Sequence, residues 1–354
     1  MRLVLVQPSY QLARRIENRI NARFPGARKV ADALSPSFIK ISIPPEARED
    51  PGHFLALIRA LYLSRDPRFE TRVARKLAKE LTHPKSDHAA IALCFEGLGQ
   101  AGLGQLQKLC THPKDYVSFH AAVAAVRLGD HLASDVLAGH AKNVYSPFRF
   151  QAIRALSYAR DVGAAGLALR DLLEDADSRV QIAAYEGLLQ RGDSWIDSHR
   201  IGKRNFVLDQ IPTLGENFIY CKRSGSRRIA FFGDGLRCRP PVFYSAADDS
   251  ILINAPAGAE TLSVIRRTSG AGLVSPAIPV SLDLAKMVIL FGSTAGVDRN
   301  GTVTGLGLDY GSVVAVLQQL CEDRSVNAKF ILEQPNVAEL FGPPRPVGRP
   351  ESER

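Results

Sequence analysis

The chain has 354 residues, 45% hydrophobic and 23% charged, which is enough for two or three domains with buried cores. No apolar run approaches the ~18 residues that a transmembrane helix needs, so a membrane-spanning helix is excluded. The net charge of +9 is uneven: residues 1–80 hold 16 Lys and Arg against 8 Asp and Glu, a front that suits nucleic acid, an acidic partner or a membrane surface, or is simply a solvated basic face.

Residues 3–6 alternate as a short strand. Leu3–Val6 is too short for the apolar core of a secretory leader, which leaves a cytoplasmic protein or a start other than Met1. Ser9 can cap a helix whose apolar positions, Leu12, Ile16, Ile20 and Phe24, fall four apart, and Pro25-Gly26 stops it. Ile39, Ile41 and Ile43 alternate as a second strand, ended by Pro44-Pro45, and Phe54, Leu57, Ile58 and Leu61 mark a second helix. Residues 1–65 therefore read as a small βαβα unit.

Internal repetition dominates residues 66–198. Thr-His-Pro-Lys occurs at Thr82–Lys85 and again at Thr111–Lys114, each copy followed by His-Ala-Ala, at His88–Ala90 and His120–Ala122. Ala121–Asp130, Ala152–Asp161 and Ala184–Asp193 are further copies, and Glu96-Gly97-Leu98 echoes Glu186-Gly187-Leu188, for a spacing of about 29–32 residues. Each unit reads as two helices, with alanines on one stripe for close approach and Leu or Val filling the gaps. Pro84, Pro113 and Pro147 sit at helix borders, and Gly129 and Gly192 at helix stops. The units resemble HEAT-type repeats in the short form shared with phycobilisome-lyase-like proteins. That resemblance implies an α-solenoid whose broad face binds a protein.

Residues 199–335 carry short apolar runs at Phe218–Cys221, Arg228–Phe232, Ile251–Ile253, Leu262–Ile265 and Met287–Phe291. Turn signals separate them, as at Ser224-Gly225 and Gly233-Asp234-Gly235. This predicts a β-rich domain closed by a helix at about 311–321. The Pro-, Gly- and Arg-rich stretch 336–354 predicts a disordered tail. The fold class is α+β multidomain.

Candidate sites are few. Gly192-Asp193-Ser194 has the look of an esterase nucleophile motif, yet it closes a repeat helix and reads as a C-cap. Gly305-x-Gly307 lacks a third glycine and reads as a flexible turn, and Asp298-x-Asn300-Gly301 reads as a hairpin turn rather than a calcium loop. His83, His88, His112 and His120 recur with the repeat, which duplication explains without a metal. Of Cys94, Cys110, Cys221, Cys238 and Cys321, only Cys221 and Cys238 flank a predicted hairpin and could pair in an oxidising compartment. Buried free thiols are the other reading. No paired carboxylates, Cys–His dyad or phosphate loop stand in the context a reaction needs. The expectation is a non-enzyme with no catalytic residue, cofactor or metal.

The order Leu3-x-Leu5, Tyr10, Ala13, Ile16, Ile20-Asn21, Ala33-Leu34, an alternating strand, Pro44, then Phe54-Leu55 and Ile58 resembles the middle region of the bacterial flagellar basal-body P-ring protein family. Val313-Val314-x-x-Leu317 through Leu320, followed by Ala328–Glu333, is similar to the family's closing segment. The resemblance implies a non-catalytic ring subunit in the periplasm, self-associating and contacting rod proteins, with no nucleic-acid partner. The family's leader and long N-terminal portion have no counterpart here, which suits a fragment or a truncated product. The repeat array stands as an insertion that adds a protein-docking face. The alternative is a repeat scaffold unrelated to flagella.

Overall fold

The computed structural model describes residues 1–26, 28–48, 50–159, 163–203, 205–246, 248–267, 275–299 and 301–334. It is a mixed α/β, multidomain chain that divides into two compact units, one of residues 1–173 and 177–192, the other of residues 174–176 and 193–354. The predicted tail at 336–354 and the end of one repeat copy at Arg160-Asp161 lie outside the described residues.

The first unit opens with β1 (Arg2–Val4), α1 (Tyr10–Arg23), β2 (Ala31–Ala33), β3 (Phe38–Ile41) and α2 (Pro51–Ala60). The Ser9 hydroxyl accepts the Leu12 N–H at 3.2 Å, so the predicted cap is in place. The strands form an antiparallel sheet in the order β1-β3-β2. Ala13 and Ile20 of α1 and Phe54 and Ile58 of α2 cover Ile39 and Ile41 of β3. The unit is thus βαββα rather than βαβα. The extra strand escapes a pattern search because three residues of Ala-Asp-Ala carry almost no apolar alternation. What holds it is Asn21: its side-chain oxygen accepts the Val30 and Ala31 N–H groups, and its amide donates to the Ala31 carbonyl, all at 2.9 Å. Asn21→Ala should strand these groups and lower stability by about 2 kcal/mol, with hydrogen exchange accelerating first at Val30 and Ala31. Unchanged exchange there would refute the clamp.

Eight helices follow: α3 (Pro67–Leu81), α4 (His88–Leu98), α5 (Leu103–Cys110), α6 (Asp115–Arg127), α7 (Leu132–Lys142), α8 (Arg149–Ser157), α9 (Ala164–Asp171) and α10 (Ser178–Arg191). Pro84, Pro113 and Pro147 fall in the connections, while Gly129 and Gly192 take positive φ of 91° and 66° after α6 and α10. The helices pack in two rows: α3, α5, α7 and α9 in succession, and α2, α4, α6, α8 and α10 in succession. Ala121, Ala122, Ala124 and Ala125 on α6 are all within 1% of full burial, small enough for neighbours on both sides. The predicted border at residue 65 does not separate two bodies, because α2 heads the second row. Arg19 of α1 ties the join, donating from Nε to the Tyr62 carbonyl at 2.7 Å and from Nη2 to the Gly97 carbonyl at 3.0 Å.

The second unit begins with β4 (Asp197–Ile201), inside the stretch assigned to repeats, because the left-handed turn at Gly192 ends the last helix. With β5 (Phe206–Ile211), β6 (Phe218–Lys222) and β7 (Arg228–Phe232) it enters a five-stranded mixed sheet. Then come β8 (Val242–Ser245), β9 (Ile251–Ala255), β10 (Thr261–Arg266) and β11 (Ile278–Ser281), an antiparallel sheet in the order β11-β10-β9-β8. The chain closes with α11 (Leu284–Gly292), the β12 (Gly296–Val297) and β13 (Val303–Gly305) hairpin, α12 (Tyr310–Glu322) and β14 (Lys329–Leu332). β14 returns beside β6 in parallel and completes the order β14-β6-β7-β5-β4.

The apolar run Met287–Phe291, read as strand-like, is helical. Asp283 accepts the Lys286 N–H at 2.9 Å and caps it, and Leu284, Met287, Val288 and Phe291 face one core at i, i+3, i+4 and i+7. The expected closing helix is α12, so among the described residues two helices, α11 and α12, serve the domain. All five cysteines are free thiols, Cys221 and Cys238 among them. Burial pushes the Cys238 thiol up to about 12.

Candidate functional site

The helical rows build a groove of about 290 Å³ across α2, α4, α6 and α8. Its lining repeats with the sequence. Ala89, His120 and Gln151 stand 31 residues apart, as do Ala92, Val123 and Arg154, and Glu96, Arg127 and Tyr158. Each column takes one residue from α4 and one from α6; the third comes from α8 in two columns and is Tyr158, one residue past the end of α8, in the other. Helix pairing therefore sets three equivalent positions side by side, and the side chains differ along each column.

Polar contacts tie one end of the groove. His53 Nε2 lies 3.0 Å and 2.9 Å from the two Glu96 carboxylate oxygens. Asp50 Oδ2 reaches Arg127 Nη2 at 3.7 Å. The Arg127 guanidinium in turn lies over the Tyr158 ring, 5.0 Å from its centroid. Toward α8, the exposed Arg154 and Gln151 side chains have no hydrogen-bond or ion-pair partner among the described residues, so this end offers donors to a ligand.

His120 sits between the two ends. Its ring stacks on His88 at 5.7 Å and meets Phe119 edge-on at 5.0 Å. Burial, aided by His88, lowers its pKa from 6.5 to about 4. The sign follows from linkage: the unfolded chain takes the proton first, so the stability this neutral imidazole contributes is complete above about 6.5 and is lost as pH falls toward about 4. An NMR titration should find the His120 ring protons moving near pH 4; a midpoint near 6.5 would contradict the half-buried placement.

The other residues singled out by sequence stand apart from this groove. His83 and His112 serve turns: each Nδ1 accepts the N–H two residues on, from Lys85 at 3.4 Å and Lys114 at 3.2 Å. Thr82 and Thr111 donate back to the Lys79 and Lys108 carbonyls, so Thr-His-Pro-Lys is a helix-ending device. His88 and His120 do come together, by ring stacking. Among the described residues no three His, Cys, Asp or Glu side chains are grouped to hold a metal. Ser194 is exposed in the turn after α10.

Asp298 closes the β12–β13 turn, its side chain accepting the Thr302 N–H at 2.8 Å, while Asn300 lies outside the described residues. Gly305 is not a flexible turn residue. It lies in β13, where an added Cβ would fall 2.3 Å from the Thr294 carbonyl oxygen. Four cations of the basic front are on α3, where Arg68, Arg72, Arg75 and Lys79 form one exposed stripe.

Sequence alone marks Glu96 only as part of the repeated Glu-Gly-Leu, and Asp50, His53, Arg127 and Tyr158 not at all. The 31-residue spacing of the groove columns is the signal that could have found three of them; the α2 pair has none. Set against family models, curated proteins and solved structures, the chain matches none of them.

Proposed function

We propose that the protein is a non-catalytic structural subunit of the flagellar P-ring type, or a divergent relative, whose α3–α10 array is a HEAT-like α-solenoid that docks a protein partner. The reading places it in the periplasm, self-associated in a ring around rod proteins. The carrying observation is the groove itself: equivalent positions of successive helix pairs line one surface, where an extended partner can be read repeat by repeat. The resemblance adds the rest. Its most specific residues are Ile20-Asn21 and Ala33-Leu34: Ile20 is a core residue and Asn21 the β2 clamp, while Ala33 ends β2 and Leu34 is exposed.

Purification of the complete gene product from its native host tests the reading. Rings by electron microscopy, with rod proteins attached, are the expected outcome, whereas a cytoplasmic monomer sinks it. One observation favours a second reading, a repeat scaffold unrelated to flagella. Helix α2 is built into the array as the head of a row, so the N-terminal unit serves the groove directly. A single soluble partner and no flagellar components would select that reading.

A further inference from the structure

Resting on the docking reading above, we infer that the groove takes an extended acidic segment of a protein partner, seating an Asp or Glu side chain on Arg154 with an adjoining aliphatic side chain on the floor. Charge complementarity carries this. The carboxylates of the groove, on Asp50 and Glu96, are already matched by Arg127 and His53. The Arg154 guanidinium is exposed and, among the described residues, unmatched, as is the Gln151 amide that lines the groove with it.

An incoming basic segment would meet an unmatched cation and no free carboxylate. A carboxylate meets the guanidinium fork, which suits its planar geometry. The floor beneath is aliphatic: Val123 is half-buried, and Ala155 is only 7% exposed. The groove crosses four helices without belonging to any one of them, which suits a segment running through it better than a chain end.

Fluorescence anisotropy on the full chain tests this with three labelled probes. One is a capped Gly-Leu-Glu-Leu-Gly peptide. The second has glutamine at its centre, and the third is the glutamine peptide with a free C-terminal carboxylate. The glutamate peptide should bind at least about tenfold more tightly than its capped glutamine counterpart, because a charge-assisted bond is lost in the latter. Arg154→Glu should remove that preference, and Arg154→Gln should reduce it; both alter an exposed side chain and should leave circular dichroism unchanged. Arg72→Glu on the α3 stripe should leave the preference intact.

Equal binding of the capped peptides, no binding of either, or dependence on Arg72 in place of Arg154 overturns the inference. Preference for the free C-terminus overturns the choice of a side-chain carboxylate. The docking reading is scored separately by a photo-crosslinking residue at Val123. Crosslinking to a protein without any carboxylate preference would refute the acidic segment alone, and an absence of both would refute the two together.

Discussion

Replacing Arg228 by methionine should destabilise the second unit by about 3–5 kcal/mol, the usual cost of stripping a buried charge of its partner. Asp209 on β5 is fully buried, and Arg228 Nη1 on β7 meets its two oxygens at 2.7 Å and 2.6 Å. From the other side the Ser198 hydroxyl of β4 also donates to Asp209. Three strands are thus tied through one carboxylate. The double variant Asp209→Leu with Arg228→Met should recover most of the loss, since apolar replacements of a buried pair are often near neutral. Urea unfolding followed on the second unit measures both. A single-variant cost under about 1 kcal/mol would show that water, not Arg228, solvates the carboxylate.

Gly97→Val should cost about 3 kcal/mol, at the upper end for overpacking. An added Cβ would fall 2.4 Å from the Ala60 carbonyl oxygen and 2.9 Å from its carbon. Both are backbone atoms that move only if α2 moves. The same shift pulls the Gly97 carbonyl from Arg19 and His53 from Glu96. Protection from hydrogen exchange should fall along α2 before the rest of the array. Gly104→Ala on α5 is the matched control: nothing lies within 4 Å of its added Cβ, and removing a helical glycine should stabilise by about 0.5–1 kcal/mol. Equal effects at the two glycines would refute the close approach.

These contacts mark where the sequence is readable. Ser9, the border prolines and the stops at Gly129 and Gly192 act through neighbours a few residues away, and their roles follow from local chemistry. The repeated Glu-Gly-Leu is visible as a pattern, but its cause is not. Gly97 admits the Ala60 backbone and Gly187 the Leu169 and Ser157 side chains, partners that only the packed helices specify. The strand-like reading of Met287–Phe291 failed because a short apolar run suits either element, and the cap at Asp283 decided it. The pairing of β14 with β6 joins residues more than 100 apart, and no local pattern encodes it. In the groove, His53 and Glu96 are 43 residues apart, whereas the columns themselves follow the repeat and were open to discovery.

Those columns separate two kinds of position within each duplicated unit. Buried alanines and leucines such as Ala121, Ala152 and Ala184 set how one helix pair stacks on the next. Glu96, Arg127 and Tyr158 occupy the same place in successive units yet are acidic, basic and aromatic. A substitution in a column alters one step of the surface while the stacking alanines stay as they are. Such an array can change the chemistry of its groove one unit at a time without being refolded. Inserting a further copy would lengthen the groove by one step and leave the existing steps in register.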